Sequence, residues 1–291
     1  MQQGLRDRVS RGVPVRASPA LMTTFQTSAE PPAPRQIGSV NWLGFWTLYK
    51  KEVRRFLKVT FQTVAVPVSM SLLYMLLFAV VFASRRGDVQ GVPYIEFLAP
   101  GLILMGVLNN AFANSSSSIL VSKVQGNAVD FLMPPLSAAE LAAGFILGAA
   151  TRGFGVGIAT AAVLVWFIDL MPAHLWAIIY FGVSASLMLG MLGVIGGIWA
   201  EKFDHIAVVT FFITPLTFLS GTFYSVSVLP EPFETLSHFN PFFYMIDGFR
   251  YGFTGEADGN VMIGVVSTLA INAVLMTICY LILKSGWRLK S

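Results

Sequence analysis

Six long runs of apolar residues follow one another along the chain after residue 58. A helix crosses the hydrocarbon core of a bilayer with about 20 apolar residues, so each run predicts one membrane-spanning helix. The fifth run is short and carries Pro215, which predicts a kink or a partial crossing. The predicted spans are Val59 to Ala83, Phe97 to Leu120, Ala139 to Ile168, Leu175 to Ala200, Ile206 to Thr222 and Val261 to Leu283.

The segment ahead of the first run, residues 41–58, repeats apolar and basic residues with helical spacing. Such a pattern predicts an amphipathic helix in the membrane interface, with aromatic rings in the lipid and cations over lipid phosphates. The alternative is that the segment only begins the first span. Its apolar face holds Trp42, Phe45, Trp46, Tyr49, Val53, Phe56 and Leu57, and its basic face holds Lys50, Lys51, Arg54, Arg55 and Lys58.

The segment between the fifth and sixth spans is too apolar for a solvated loop and too interrupted for a span. Leu229, Phe233 and Leu236 are spaced for one face of a short helix that tolerates Pro232 in its first turn. The Asn240-Pro241 pair should end that helix. A second, aromatic helix is predicted from Phe242 to Phe253. Both are expected to be re-entrant, dipping into the outer leaflet.

Composition agrees with this pattern. Hydrophobic residues make up 55% of the 291 residues and charged residues only 12%, whereas a soluble domain carries about 25% charged residues. A soluble globule is therefore excluded, and the single cysteine, Cys279, excludes an internal disulfide. The predicted fold is an all-α integral membrane protein with six transmembrane helices, an N-terminal interfacial helix and re-entrant outer helices.

The distribution of Lys and Arg predicts the orientation. With the N-terminus inside, fifteen of the 19 cations lie on the inner side, three lie outside, and Arg152 lies within the third span. Arg152 is expected to snorkel or to face protein. Both termini are therefore predicted to be cytoplasmic, and the net charge of +4 is expected to face anionic lipid rather than nucleic acid.

Four regions are predicted from these features. Residues 1–40 are rich in Arg and Pro and lack a sustained apolar run, which predicts a disordered cytoplasmic tail. They also lack the apolar core of a secretory signal; an organellar transit peptide, or a true start at Met22, are the alternatives. The interfacial helix covers residues 41–58, the six-span domain covers 59–284, and a short cytoplasmic tail covers 285–291.

No motif for enzymatic chemistry is present. The chain lacks GxxxxGK[ST], HExxH and GxSxG, so ATP hydrolysis in the P-loop manner is excluded and no catalytic residue is predicted. The three histidines, His174, His205 and His238, lie in separate loops, which argues against a metal site. Glycines at 153, 155 and 157 predict close helix packing rather than a dinucleotide turn.

Two polar stripes interrupt the apolar spans. Asn110, Asn114 and Ser117 follow one face of the second span, and Thr210, Thr214 and Thr217 follow one face of the fifth. These side chains either form hydrogen bonds between helices or line a substrate path. Asp247 and Arg250 are neighbours on the second outer helix and are expected to form a structural ion pair, with substrate binding or catalysis as the alternative.

Three segments resemble the permease subunits of type-2 ATP-binding-cassette (ABC) transporters. They are Tyr94-Ile-Glu-Phe-Leu-Ala-Pro-Gly-Leu102, Gly126-Asn-Ala-Val-Asp-Phe-Leu-Met-Pro-Pro-Leu-Ser137 and the stretch from Leu219 to Tyr251. The resemblance covers roughly residues 42–284. One departure is the uncharged Gly126-Asn-Ala128, where family members usually carry charge, so that Asp130 is the only acid of that loop.

The resemblance implies an ATP-driven exporter in the inner membrane, with this chain as its non-catalytic permease. A second permease, usually an identical copy, and two cytoplasmic ABC ATPase subunits would complete it, and the ATPases would bind the ATP and Mg. The resemblance also implies an ATPase docking surface at Lys50, Lys51, Arg54, Asp130 and Pro134. It implies an outer gate that includes Phe233, Phe239, Phe242, Asp247 and Arg250.

Two other classes of protein remain as alternatives. An ion-coupled secondary transporter would need carboxylates within its spans, and no acidic residue lies in the middle of a predicted span. A membrane-embedded lipid-processing enzyme would need a cluster of acidic and His residues at one membrane face. The outer segment holds such residues, but their spacing matches no metal or transferase motif.

Overall fold

The computed structural model describes residues 38–82, 89 and 91–289, and within these ranges the regular elements are helices without any strand. The all-α prediction is therefore confirmed. The predicted disordered tail lies outside the described residues except for its last positions, as do residues 290 and 291 of the C-terminal tail. The helices are α1 (Trp42–Leu57), α2 (Val66–Phe82), α3 (Tyr94–Val124), α4 (Val129–Leu132), α5 (Ala138–Leu164), α6 (Leu175–Trp199), α7 (Phe203–Thr217), α8 (Phe233–His238), α9 (Pro241–Thr254) and α10 (Val261–Ser285).

Six helical segments of the described chain are long and apolar enough to cross a membrane. Two of them include a π-helical turn, Phe61–Ala65 ahead of α2 and Phe218–Thr222 after α7. The segments are Phe61–Val81, Tyr94–Val124, Ala138–Leu164, Leu175–Trp199, Phe203–Thr222 and Val261–Ser285. The six predicted spans are confirmed, with every boundary within four residues of its prediction.

Helices α3, α5 and α6 form the centre of the bundle, and α2, α7 and α10 lie around them. Within an apolar stretch of 18 residues, 78% of α3 is buried within the protein, compared with 11% in the spans that contain α2 and α10. Gly193 lets α6 lie against α3, because a Cβ at that position would lie 2.6 Å from the carbonyl oxygen of Phe112. Larger residues there would separate the two backbones, so small residues determine how closely this pair packs.

Helix α1 runs alongside α5. A Cβ built on Gly144 would lie 2.6 Å from Leu48 Cδ2, and one built on Gly148 would lie 2.6 Å from Glu52 Cβ. From the first contact to the second, both helices advance by four residues, or about one helical turn. Leu48 and Glu52 are also the buried residues of α1. The predicted amphipathic helix is present and ends before the first span begins; its position in the membrane interface remains a prediction.

The outer segment forms two short helices, but the first is shorter than predicted: α8 begins at Phe233, and Leu229 lies outside it because Pro230 and Pro232 interrupt the chain between them. Asn240 caps the N-terminus of α9, its side chain accepting a hydrogen bond from the backbone N–H of Phe242, and Pro241 occupies the first position of that helix. Pro232 directly precedes α8. The insertion of both helices into the outer leaflet remains a prediction.

Candidate functional site

A group of buried and half-buried polar side chains lies where α1, α3 and α5 meet. We call it the polar cluster. The spans supply most of its members, and α1 supplies a buried acid and a half-buried base, so that polar groups from three helices meet in one place. Its members are Glu52, Arg55, Asn110, Asn114, Ser117, Ser118 and Arg152.

Glu52 is the most buried charged group of α1, with a side-chain exposure of 0%. Its Oε1 accepts a hydrogen bond from Ser118 Oγ at 2.7 Å, and its Oε2 pairs with Arg55 Nη2 at 3.2 Å. A carboxylate in this environment is stable only while it is paired and hydrogen-bonded. Glu52 therefore fixes α1 to α3 through Ser118 and orients Arg55.

Arg55 extends from α1 to the polar stripe of α3. Its Nη2 donates to the backbone oxygen of Asn114 at 2.6 Å and to Oδ1 of the same residue at 3.0 Å, and its Nη1 donates to Ser117 Oγ at 3.1 Å. The sequence pattern placed Arg55 on the basic face of α1. Arg55 is half-buried at the edge of that face, beside Lys50, Lys51, Arg54 and Lys58, and its guanidinium turns to the fixed carbonyl and amide oxygens of α3.

The two asparagines of the stripe form hydrogen bonds between helices. Asn110 Oδ1 accepts from Arg152 Nη2 of α5 at 3.1 Å, and Asn114 accepts from Arg55 of α1. Both side chains are buried. In this structure the two asparagines therefore form hydrogen bonds between helices. Arg152 faces protein, which was one of the two expectations for it. That Asn110, Asn114 and Ser117 line a substrate path remains a prediction.

Sequence reasoning missed Glu52. Two signals pointed to it. Glu52 is the only acidic residue in residues 42–58, which also hold five basic residues, and it lies one helical turn after the apolar Leu48. Burying a lone carboxylate on the inward-facing side of a helix carries a large desolvation penalty unless a buried partner pairs with it or donates hydrogen bonds to it. Amphipathic patterning groups it with the surrounding charges instead.

The threonine stripe of α7 is satisfied within its own helix. The hydroxyls of Thr210, Thr214 and Thr217 each donate to the carbonyl oxygen four residues earlier, at 2.9 Å. Thr217 is buried, whereas Thr210 and Thr214 are half-buried. The structure therefore does not join this stripe to the polar cluster by any hydrogen bond between described residues, and its lining of a path remains a prediction.

A cavity of about 210 Å³ lies between α2 and α3. Its walls are mainly apolar, and its polar groups include Ser71, Asn109 and Asn110. Because Asn110 also contacts Arg152, one wall of the cavity is shared with the polar cluster. An apolar cavity with a few convergent polar groups is typical of a small-molecule site.

The two pieces of the predicted docking surface lie side by side. The backbone N–H of Asn41, which caps α1, donates to Glu140 Oε1 at 2.5 Å, and Asn41 Nδ2 donates to the carbonyl oxygen of Pro135 at 3.1 Å. Phe131 of α4 is buried in an apolar group that includes Leu48 of α1. The start of α1 and the loop that leads into α5 are thereby held together.

The predicted docking residues lie on the outside of this joined surface. Lys50, Lys51, Arg54 and Asp130 are exposed, and Pro134 is half-buried. Exposed cations next to an exposed carboxylate suit a partner of mixed charge. The structure thus leaves these side chains accessible, and their role in docking remains a prediction.

Replacing Glu140 with alanine is expected to loosen this surface. The carboxylate accepts from Asn41 and from the backbone N–H of Ser137 at 2.6 Å, and the Ser137 side chain accepts from the Glu140 N–H in return, which forms a capping box on α5. Losing these bonds should lower the free energy of unfolding by about 1–2 kcal/mol, measured by detergent-titrated unfolding. Glu201→Ala at an exposed site is the control, and an equal effect of both variants would contradict the expectation.

The outer segment is held by a buried arginine. Arg250 of α9 has an exposure of 1%, donates from Nε to the carbonyl oxygen of Phe97 at 3.2 Å and from Nη2 to that of Gly221, and stacks on the Phe97 ring at 3.8 Å. Gly221 has a φ of +77°, a conformation that favours glycine. Arg250 thus connects α9 to the top of α3 and to the turn after α7.

Asp247 does not pair with Arg250, which corrects the predicted ion pair. Its two carboxylate oxygens accept from the backbone N–H groups of Asp258 and Gly259, at 2.8 and 2.9 Å. The Asp258 carboxylate in turn accepts from Ser225 Oγ and from the N–H of Val226. Both charges of α9 therefore bind backbone groups, because the surrounding turns offer fixed donors and acceptors while the opposite charge lies further away.

The aromatic residues of the predicted outer gate differ in exposure. Phe239 is 82% exposed and Phe233 is 54% exposed, whereas Phe242 is buried in the main core. Phe242 therefore supports α9, and the two exposed rings are available to lipid or to another chain. Their part in a gate remains a prediction.

The three histidines contact different neighbours. His174 stacks on Tyr251, His205 Nδ1 accepts from the N–H of Glu201, and His238 lies edge-on to Phe243. Among the residues that the structure describes, no group of three or more His, Cys, Asp or Glu side chains is placed to hold a metal ion.

Comparison with known proteins adds the family. The model of the ABC-2 type transporter family matches residues 44–254. The inner membrane transport permease YadH of Escherichia coli (strain K12) is 37% identical over 243 residues, which cover 83% of this chain and 93% of that protein. Nodulation protein J of Sinorhizobium fredii is 29% identical over 195 residues (65% of this chain, 72% of that protein), and that of Rhizobium leguminosarum bv. viciae is 26% identical over 229 residues (77% and 86%).

The matched region runs from α1 to α9 and so contains the polar cluster, the docking surface and the outer segment. A family match over most of the chain agrees with a relative of more than one-third identity that is itself named as a permease. The chain therefore belongs to the ABC-2 type transporter family, as a multi-pass membrane permease subunit.

Proposed function

We propose that this chain forms, with a second copy of itself, the substrate path of an exporter that separate cytoplasmic ATPases drive. The observation that carries the proposal is the connection between an exposed, charged surface and the buried centre of the bundle. Lys50, Lys51 and Arg54 lie on the same short helix as Glu52 and Arg55, whose hydrogen bonds reach α3. A partner that moves α1 therefore moves groups inside the membrane domain.

The external power source follows from what the sequence lacks. The chain has no P-loop motif, and a permease without one needs a partner that binds ATP and Mg. Closure of two ATPases would push the docking surfaces of two permeases and shift the packing between them. We assign the termini to the cytoplasm on the distribution of Lys and Arg, and the chain to the inner membrane because its relative YadH is named an inner membrane transport permease.

A path between two copies is supported by the helices that remain open. Within an apolar stretch of 18 residues, only 11% of the α2 span and 17% of the α7 span are buried within the chain, and Phe211 and Phe212 of α7 are exposed. The α2–α3 cavity, which Asn110 lines, lies next to α2. Substrate would pass along these helices and leave beneath the outer segment.

Charge reversal at Lys50 and Lys51 tests the docking role. The Lys50→Glu/Lys51→Glu double variant should reduce association with the co-expressed ATPase about tenfold or more, because like charges replace complementary ones. The measurement is co-purification of the ATPase from membranes, together with its stimulated hydrolysis rate. The matched control is Lys202→Glu/Lys284→Glu, which changes two exposed cations elsewhere; full stimulation with the Lys50/Lys51 variant would refute docking at α1.

The energy source is tested separately. Transport into inside-out vesicles should require the ATPase and should stop when the nucleotide site of the ATPase is inactivated. Transport that continues without the ATPase and follows an ion gradient would assign the chain to the secondary transporters instead.

A further inference from the structure

The polar cluster contains more hydrogen-bond donors than acceptors. It holds two guanidinium groups and one carboxylate: Arg55 donates to Glu52, and Arg152 donates to the neutral amide oxygen of Asn110. Three of its buried N–H groups, Arg55 Nε, Asn114 Nδ2 and Arg152 Nε, have no acceptor among the described residues. Buried polar groups in proteins are almost always hydrogen-bonded, so three unpaired donors of the same kind in one cluster require an explanation.

The three donors belong to adjoining parts of the cluster. A Cβ at Gly148 would lie 3.9 Å from Asn114 Nδ2, and Arg152 lies one helical turn further along α5 on the same face. Arg55 is hydrogen-bonded to Asn114. The cluster thus presents a net positive, donor-rich surface at the junction of three helices.

The α2–α3 cavity gives this surface a neighbouring apolar space. Asn110 lines the cavity and at the same time accepts from Arg152, whose side chain is half-buried rather than enclosed. The cavity has a volume of about 210 Å³, enough for several methylene groups. Its apolar lining consists mainly of Val66, Pro67, Met70, Leu102 and Met105.

We propose that Arg152 and the unpaired donors around it bind the phosphate-like acidic head group of an amphipathic substrate, whose apolar part lies in the α2–α3 cavity. The inference rests on the proposed function and names the substrate class of that path. A fully ionised phosphate accepts hydrogen bonds and donates none. Arginine suits it well, because the guanidinium group can donate two parallel hydrogen bonds to phosphate oxygens. A neutral sugar head group would bring further donors and would leave the excess charge unbalanced.

Binding is tested on the full-length permease in phosphatidylcholine nanodiscs, without an ATPase. Three probes separate the possible sources: dodecyl phosphate carries both parts, inorganic phosphate carries only the anion, and dodecyl maltoside carries only the chain. Dodecyl phosphate should bind about tenfold more tightly than either of the others. Equal binding of inorganic phosphate, or of dodecyl maltoside, would overturn the assignment of an acidic amphiphile.

Arg152→Gln should weaken the binding of dodecyl phosphate about tenfold or more, as expected for the loss of a charged hydrogen-bond donor. Lys202→Gln removes one exposed cation and is the matched control for net charge. Unchanged binding by Arg152→Gln, or an equal loss in both variants, would contradict the site.

Asn110→Asp provides a test that does not depend on removing a group. The new carboxylate would replace the amide oxygen that Arg152 already contacts at 3.1 Å. Its negative charge would balance the charge of Arg152 without any bound ligand. We expect dodecyl phosphate binding to fall about tenfold while the melting temperature stays the same or rises. Retained binding in this variant would overturn the proposal, whereas loss of ATPase dependence in the vesicle assay would overturn the proposed function and leave the binding result unaffected.

Discussion

Replacing Glu52 with alanine is expected to lower the free energy of unfolding by about 3 kcal/mol. The carboxylate is fully buried and accepts hydrogen bonds from Ser118 and Arg55, which lie on two different helices. Without it, the Arg55 guanidinium stays at the junction of α1 and α3 with no negative partner. Unfolding in a graded detergent titration measures the change, and stimulation of the ATPase should fall with it because α1 is then held less firmly.

Two comparisons sharpen this expectation. Glu201→Ala breaks the exposed pair with Arg288, which has a separation of 3.7 Å, and should change the free energy of unfolding by at most about 1 kcal/mol. The double replacement Glu52→Leu/Arg55→Leu should cost less than Glu52→Ala alone, since it leaves no unpaired charge. A double variant that is less stable than Glu52→Ala would show that the pair is not the source of the effect.

Arg250→Met is expected to destabilise the outer segment by about 3 kcal/mol. The guanidinium is enclosed, donates to two backbone carbonyl oxygens and stacks on Phe97. Methionine fills much of the same volume but removes the two charged hydrogen bonds to the carbonyl oxygens of Phe97 and Gly221, which contribute about 1.5–3 kcal/mol each. The loss of the cation–π contact adds to this.

Thermal unfolding, combined with limited proteolysis between α7 and α10, measures this effect. Cleavage should increase between residues 219 and 260 before the rest of the chain becomes accessible. Arg288→Met is the matched control, since Arg288 is 40% exposed and none of its contacts, which are with Trp287, the Trp199 carbonyl oxygen and Glu201, involves the outer segment. Similar cleavage in both variants would contradict the role of Arg250 as the connection between α9 and α3.

Apolar runs predicted the spans well but not their positions in the bundle. The span containing α2 is one of the most apolar, yet only 11% of its apolar 18-residue stretch is buried in the protein, whereas 78% of the corresponding stretch of the more polar α3 is buried. Hydropathy responds in the same way to lipid and to a protein core, so it predicts that a helix leaves water and not which surroundings it enters. The polar residues of α3 were the better signal for the centre, because only neighbouring helices can satisfy them.

The sequence did not reveal which groups the charged side chains of the site form hydrogen bonds with. The i, i+3 spacing of Asp247 and Arg250 predicted an ion pair, but each side chain binds backbone groups of a turn that is distant in sequence. Glu52 escaped notice for the same reason, since its partner Ser118 lies 66 residues away. Spacing reveals neighbours on one helix, and the fold decides whether a better acceptor or donor lies elsewhere.

The one-turn register between α1 and α5 limits how these helices can move. Leu48 and Glu52 occupy the places where Gly144 and Gly148 have no side chain, so a shift of α1 by one residue would bring them against Phe145 or Ala149. Two helices that interlock in this way resist sliding past each other, so a displacement of one along their common axis displaces the other. A force on α1 would then reach α5 as displacement of the whole helix rather than as local bending.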